Sequence, residues 1–386
     1  MAKEESKDYI VTARKWRPMR FTDVVGQEHI TKTLQNAIRA GRVHHSYLFS
    51  GPRGVGKTTT ARILARALNC TSPVDYEPCN KCESCLSVID GRSLDIIEID
   101  GASNNSVDDV RKLRENAKYP PTSGNYKMYI IDEVHMLSTS AFNALLKTLE
   151  EPPPHLLFVF ATTEIHKVPA TILSRCQRHE FRRMEIDSTV KQLNYIASNE
   201  NIKIDDDSLV TIAKKADGSM RDAQSIFDQV VAFCGTDIRY TDMANAMHLI
   251  DQEFFFRITK AIKEHNHAEM FSIAKDVLTK GYDFNQTLAG LMEHLRNLLT
   301  IKATGKTELL DGFSTYSRQY NEDAADFDTP DIIRFMSLIA GQEQAMKTAP
   351  QPRVRFELIL EQLASMGKTN ELSELIDEIR ELKKKS

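Results

Sequence analysis

Residues 51–58 read Gly51-Pro52-Arg53-Gly54-Val55-Gly56-Lys57-Thr58, a complete G-x-x-x-x-G-K-T loop. An apolar stretch, Tyr47-Leu48-Phe49, leads directly into it, and a helix-like run from Thr59 to Leu68 follows. Strand, glycine loop and helix in that order constrain the fold more than any other segment. The glycines let the chain turn back so that successive backbone N–H groups point at one anion. Lys57 adds a point charge for β- and γ-phosphates, and Thr58 offers its hydroxyl to a magnesium shell. The helix presents its positive end to the same place. The chain is therefore expected to bind a nucleoside triphosphate.

From about Arg20 to Arg183 strand-like and helix-like segments alternate. Buried strands are predicted at Tyr47–Ser50, Ile96–Ile99, Met128–Ile131 and Leu156–Ala161, and helices at Gln27–Ala40, Lys57–Leu68, Val107–Asn116 and Ser140–Glu150. Such alternation predicts a largely parallel sheet covered on both faces. Pro152-Pro153-Pro154 ends one helix and hands the chain to the next strand. After Met184 no further strand is predicted. Thr189–Asn199, Asp206–Ala216 and Ser219–Cys234 read as three helices of a small unit ending near His248, with Ser188 and Asp206 as N-caps and Gly218 between the last two. Beyond Asp251 the pattern is helical. Phe284, Leu288, Leu291, Leu295 and Leu298 share one face, Ala303–Asp328 reads as a longer connection, and Leu372, Leu375, Ile379 and Leu382 mark a last short helix.

Downstream of the loop, Met128-Tyr-Ile-Ile-Asp132-Glu133 is an apolar strand closing on two carboxylates. Asp132 suits a magnesium shell and Glu133 the polarisation of an attacking water, whereas His135 is expected to pack or cap the next turn. A second strand, Phe158-Val-Phe-Ala161, ends in Thr162 and Thr163. Arg175 and Arg221 are each the kind of residue that stabilises charge during phosphoryl transfer, though from bare sequence either is more often a surface ion-pair residue.

The chain has 386 residues, room for two or three domains, and a net charge of −4. A whole-molecule electrostatic grip on nucleic acid or on an anionic membrane is not indicated. No apolar run approaches the roughly 20 residues of a spanning helix, and the charged Met1–Asp8 lacks the apolar stretch of an export signal. A cytoplasmic protein is expected. Four of its six cysteines cluster, which in a reducing compartment asks for a metal rather than disulfides.

Taken together, these motifs resemble the AAA+ ATPases of the sliding-clamp-loader class, and within it the bacterial gamma/tau family. The resemblance rests on Ala13-Arg-Lys-Trp-Arg-Pro18, Asp23-Val-Val-Gly-Gln-Glu28, the phosphate loop, Asp132-Glu-Val-His-Met-Leu137, Phe142-Asn-Ala-Leu-Leu-Lys-Thr-Leu-Glu-Glu-Pro152, Ser174-Arg-Cys176 and Gly218-Ser-Met-Arg-Asp222. It covers about the first 235 residues; the helical remainder carries little signature. It implies an α/β plus all-α architecture: a RecA-like AAA+ domain over residues 1–184, a three-helix lid over 185–248, a helical collar over 249–368 that oligomerises, and a C-terminal helix opening a linker over 369–386. Thr163, or less directly Thr162, then corresponds to the sensor of the γ-phosphate, Arg221 to the second sensor acting in cis, and Arg175 to an arginine finger completing a neighbour's site. Asp23-Val-Val-Gly-Gln27 lies where the family packs adenine.

Cys70, Cys79, Cys82 and Cys85 follow C-x8-C-x2-C-x2-C. Four thiolates so spaced can close a tetrahedron around zinc, leaving no open position, as in a structural site. An iron–sulfur cluster is the competing occupant and four free thiols the remaining alternative; the resemblance implies zinc. Cys176 and Cys234 lie apart and are expected to be packed.

The function implied is that of an ATP- and Mg2+-dependent motor subunit of the DNA polymerase III holoenzyme. With delta- and delta-prime-type subunits in a pentameric ring, it would load a sliding clamp onto primer-template DNA during replication. Longer forms in the family add domains that reach the polymerase core and the replicative helicase. Two alternatives accompany this reading: a structural hub of the replisome with a weak isolated ATPase, and a DNA motor of branch-migration type.

Overall fold

The computed structural model describes residues 11–105, 107–247, 250–306 and 316–366. The expectations for Met1–Asp8, for His248 and for the helix at Leu372–Leu382 lie outside those residues. The chain divides into two compact units between Ile238 and Arg239.

The first unit is built on strands β1 (Ser46–Ser50), β2 (Ile96–Asp100), β3 (Lys127–Asp132), β4 (Leu156–Thr162) and β5 (Gln177–Glu180). They form one five-stranded parallel sheet in the order β2-β3-β4-β1-β5. Its helices are α1 (Thr12–Lys15), α2 (Glu28–Arg39), α3 (Lys57–Asn69), α4 (Glu83–Ile89), α5 (Val107–Asn116), α6 (Thr139–Glu150), α7 (Ala170–Leu173), α8 (Ile186–Asn199), α9 (Asp206–Lys215) and α10 (Met220–Cys234).

Successive strand residues point to opposite faces. Tyr47, Phe49, Met128, Ile130, Leu157 and Val159 join one core with Ile30, Leu34 and Ile63 from α2 and α3. Leu48, Tyr129, Ile131, Phe158 and Phe160 join another with Leu113, Phe142 and Leu145 from α5 and α6. Both faces are covered, so β1, β3 and β4 read as unbroken apolar runs. With every strand parallel, the ends of β1, β3 and β4 reach one edge of the sheet, which is where ligands lie in open α/β folds.

Four local expectations need correction. Gln177-Arg-His-Glu180 is a strand, paired only with β1; it lies at the sheet edge, where polar side chains are favoured over an apolar run. Past Met184, Lys203–Ile204 (β6) and Asp237–Ile238 (β7) make a short parallel pair beside the helices. The N-cap of α8 is Glu185, with Ser188 inside the helix, and that of α9 is Asp205, whose side chain accepts from the Ser208 N–H. Asp205 carries the same capping chemistry as Asp206 one residue earlier.

The second unit contains α11 (Tyr240–Ala246), α12 (Gln252–Lys263), α13 (His267–Thr279), α14 (Phe284–Thr304), α15 (Ser317–Ala325), α16 (Thr329–Lys347) and α17 (Pro352–Ser365). The predicted face of α14 is buried at Leu288, Leu291, Leu295 and Leu298, with Phe284 at its margin. The segment read as a connection contains α15, whose polar sequence hides two inward residues, Tyr320 and Ala324. No helix among the described residues is long and apolar enough to cross a membrane.

Candidate functional site

β1 delivers the chain into the phosphate loop at Gly51, whose φ is +141°. A Cβ there would strike the Phe181 carbonyl, and one at Gly54 (φ +75°) would strike the Ser219 hydroxyl. Only glycine permits this closeness at these backbone angles. The loop walls a cavity of about 390 Å³ lined by Arg53, Gly54, Val55, Gly56, Lys57, Thr58, Asp132, Glu133 and Arg221. Gly51 and Pro52 stand behind it and accept from the Lys57 ammonium at 2.8 and 2.7 Å. Burial pulls Lys57 below the ordinary lysine range, with Glu133 and Asp132 opposing the shift. A cation held by two carbonyls beside an open cavity is ready to exchange them for an anionic ligand.

At the end of β3 the Thr58 hydroxyl donates to Asp132 Oδ2 at 2.6 Å. This pair of hard oxygens on the cavity wall fits one vertex set of a magnesium shell. Glu133 follows in the left-handed region at φ +45°, a conformation costing a non-glycine residue about 1 kcal/mol and kept only where surroundings impose it. Here they do so. Glu133 Oε2 accepts from the Thr163 hydroxyl at 2.9 Å and from the Thr163 N–H at 3.3 Å. The His135 side chain is 6% exposed and lies 3.4 Å from both Glu133 and Glu164; its Nδ1 shares a 3.0 Å hydrogen bond with the Thr162 hydroxyl.

Arg221 reaches the cavity from the N-terminus of α10, which is capped by Ser219. Arg175 does not line it. Its guanidinium donates to Glu150 Oε1 at 2.6 Å and to the Thr171 carbonyl at 2.7 Å, beside a separate open hollow formed by His44, His45, Leu149 and Cys176. Asp23 and Val24 lie on the cavity wall as Gly26 and Gln27 do not, and Val25 joins them.

The motifs do not announce every wall. Trp16 and Arg17, side by side after α1, also line the cavity, as do Met184 from the loop before α8, Gln192 from α8 and Gln224 from α10. Trp16 is held to the helices past Met184: its Nε1 donates to Glu200 at 2.8 Å and its ring meets Tyr195 edge-on at 5.7 Å. Thr12 adds hydrogen bonds to the Asp228 carboxylate. Arg17 falls below the usual guanidinium range through burial and then the proximity of Arg62, with Glu98 opposing the shift; it lines this end of the cavity together with Arg14. The repeated arginines of Ala13–Pro18 are the signal that could have found it.

The four cysteine sulfurs lie within 4.8 Å of one another. Cys70 and Cys82 are 4.0 Å apart, near the edge of a zinc–thiolate tetrahedron built from ~2.3 Å bonds. Cys79 Sγ accepts backbone N–H groups from Lys81 and Cys82 at 3.4 and 3.3 Å, donors that lower its thiol, while Cys70 Sγ accepts one from Cys79 at 3.3 Å but is raised by burial. Burial resists ionisation of Cys82, yet hydrogen bonds from Thr71 and Cys85 outweigh it and bring the thiol to about 6. The donor set fits zinc. Cys176 and Cys234 are half-buried and lie apart from this cluster.

Known proteins resemble the chain along most of its length. The family model described as DNA polymerase III, delta subunit, matches residues 26–185. The model for the clamp loader subunit ATPase lid domain matches 188–236, and that for DNA polymerase III subunits gamma and tau domain III matches 240–379. The chain is 42% identical over 352 residues to DNA polymerase III subunit tau of Bacillus subtilis, covering 91% of this chain and 62% of the relative. For the Escherichia coli tau subunit the figures are 37%, 91% and 55%. The gamma subunit of Buchnera aphidicola is 34% identical, with 92% and 98% covered. The chain thus spans roughly half to three-fifths of the tau relatives and nearly all of the Buchnera one. Thermotoga maritima RuvB matches in shape with a TM-score of 0.47 at 19% identity, covering 69% of this chain and 86% of that one, too slight a likeness to argue from. On the sequence relationship, the chain belongs to the DNA polymerase III gamma/tau family.

Proposed function

We propose that the chain is an ATP-hydrolysing motor subunit of a polymerase III clamp loader, placing a sliding clamp on primer-template DNA. The observation that carries this reading is the convergence of Lys57, Thr58, Asp132, Glu133 and Arg221 on one cavity, together with family membership. Lys57 and the loop amides would hold the nucleotide's phosphates, and Thr58 with Asp132 would hold magnesium, which when bound neutralises the developing phosphate charge. Glu133, released from Thr163, would orient and polarise the attacking water; Arg221 would engage the phosphate from the lid. Thr163 then couples occupancy of the cavity to the freedom of Glu133, the role of a sensor.

Arg175 we assign to the neighbouring subunit's nucleotide, because its guanidinium stands outside its own cavity. The ring implied has delta- and delta-prime-type partners. Domain limits near residues 184, 248 and 368, zinc on the four cysteines, and a cytoplasmic location belong to the same proposal.

The test is ATP turnover measured alone and with partner subunits, clamp and primed DNA. Stimulation in the full mixture is expected. Lys57→Ala should abolish clamp loading. Arg175→Ala should keep ATP binding yet lower turnover in the assembled ring by roughly 10³-fold or more. Unstimulated turnover, with loading intact in Lys57→Ala, would leave the chain a structural hub.

A further inference from the structure

The cysteine loop does more than close on itself. Between Cys70 and Cys79 the chain makes a tight hairpin, with Val74 and Glu77 exchanging backbone hydrogen bonds at 3.2 and 2.9 Å. Asp75 and Tyr76 take left-handed angles at its tip, and the Tyr76 ring lies 5.2 Å from the Arg39 guanidinium of α2. The turn drives Glu77 inward until it is 7% exposed. A buried carboxylate is tolerated only when donors replace its water. Glu77 finds three: the Phe21 N–H at 2.8 Å, the Thr22 N–H at 3.1 Å and the Gln35 amide at 2.9 Å.

The two backbone donors open a short 3-10 turn, Phe21–Asp23. The same stretch is pinned one step earlier. The Met19 carbonyl accepts from Asn80 of the cysteine loop at 3.1 Å and from Arg66 of α3 at 3.0 Å. Residues on either side of this pinned segment, Trp16 to Pro18 and Asp23 to Val25, wall the candidate nucleotide cavity. The segment is thus a strap along the cavity, fastened at its middle to the cysteine loop.

We propose that Glu77 is a positioning residue that makes metal binding and nucleotide binding cooperative: the metal orders the loop, the loop fixes Glu77 and Asn80, and these hold the strap against the nucleotide. The inference rests on the nucleotide-binding reading above. Coupling of this kind is reciprocal, so nucleotide must also hold the metal.

Two measurements on the full chain test it. The first follows zinc release from the wild-type protein to a chromogenic chelator, with and without saturating magnesium ADP. Release is expected to slow about tenfold with ADP. The second measures ADP affinity and zinc content of Glu77→Gln, which keeps the shape but turns one acceptor into a donor. Affinity is expected to fall about tenfold, with zinc content unchanged and the ADP effect on zinc release lost. Wild-type affinity in Glu77→Gln, or zinc release indifferent to ADP in the wild type, overturns the proposal. If Glu77→Gln does not fold, the wild-type release experiment decides alone. A wild-type chain that holds zinc but binds no ADP sinks the nucleotide reading, an outcome distinct from normal ADP binding without coupling.

Discussion

The two compact units keep their polar groups on different terms. In the first, charged side chains gather at strand ends and make bonds that a ligand can replace: Lys57 rests on its own loop carbonyls, Thr58 on Asp132, Glu133 on Thr163. In the second, a cluster of buried polar groups is paired within itself. His294 shares a 2.9 Å hydrogen bond with the Tyr320 hydroxyl, which donates to Gln252 at 3.0 Å, and all of this sits within an apolar core of phenylalanines and leucines. Polar bonds that can be exchanged belong to chemistry; polar bonds sealed in a core fix which packing forms. One unit is arranged to change partners and the other to keep them.

Substitutions can break that contrast. Of the substitutions that probe the contrast between the units, Glu133→Gln is expected to have the largest effect. It keeps the shape and the Thr163 hydrogen bond but removes the charge proposed to polarise water, so turnover in the assembled complex should fall roughly 10²–10³-fold while ATP binding persists. Undiminished turnover would remove Glu133 from the chemistry. Next comes Leu295→Ala in α14. Leu295 is fully buried, and its truncation should cost the second unit about 2–5 kcal/mol, read as a lower unfolding midpoint. Nucleotide affinity, a property of the first unit, should not move; if it does, the units are not separable in this way.

The effect spread over the widest range of conditions is in pH. Burial holds His294 down at about 3 and, with His29 adding to it, His179 of β5 at about 4. Both folded values lie below the ordinary ~6.5 of an unfolded histidine. Below about 6.5 the unfolded chain therefore binds protons that the folded chain refuses, and each histidine removes stability at roughly 1.4 kcal/mol per pH unit. The loss ends near pH 4 for His179 and continues to about pH 3 for His294. Unfolding monitored between pH 7 and pH 4 should show a slope that His294→Asn reduces, and an unaltered slope would mean that His294 titrates normally.

What could be read in advance follows the same contrast. β1, β3 and β4 were legible because burial on both faces demands continuous apolar runs. β5 was not, since an edge strand of Gln177-Arg-His-Glu180 carries no such demand. α15 escaped because only two of its positions face inward. For the candidate site, the glycine loop and the carboxylate pair are contiguous and so visible, and the structure lays them on one cavity wall. Met184, Gln192 and Gln224 reach that wall from distant segments, and nothing in their local sequence marks the meeting. Glu77 is the extreme case. Its significance lies wholly in backbone groups 55 and 56 residues away, which no spacing rule could encode.

Trp16 has a further consequence. It is the chain's single tryptophan, it stands on the cavity wall, and it is tied to Glu200 and Tyr195 of the helical portion. The molecule thus carries a built-in optical gauge. Emission excited selectively from this indole comes from one place, and a change in its colour or polarisation reports the strap, the cavity and the lid together, without a dye.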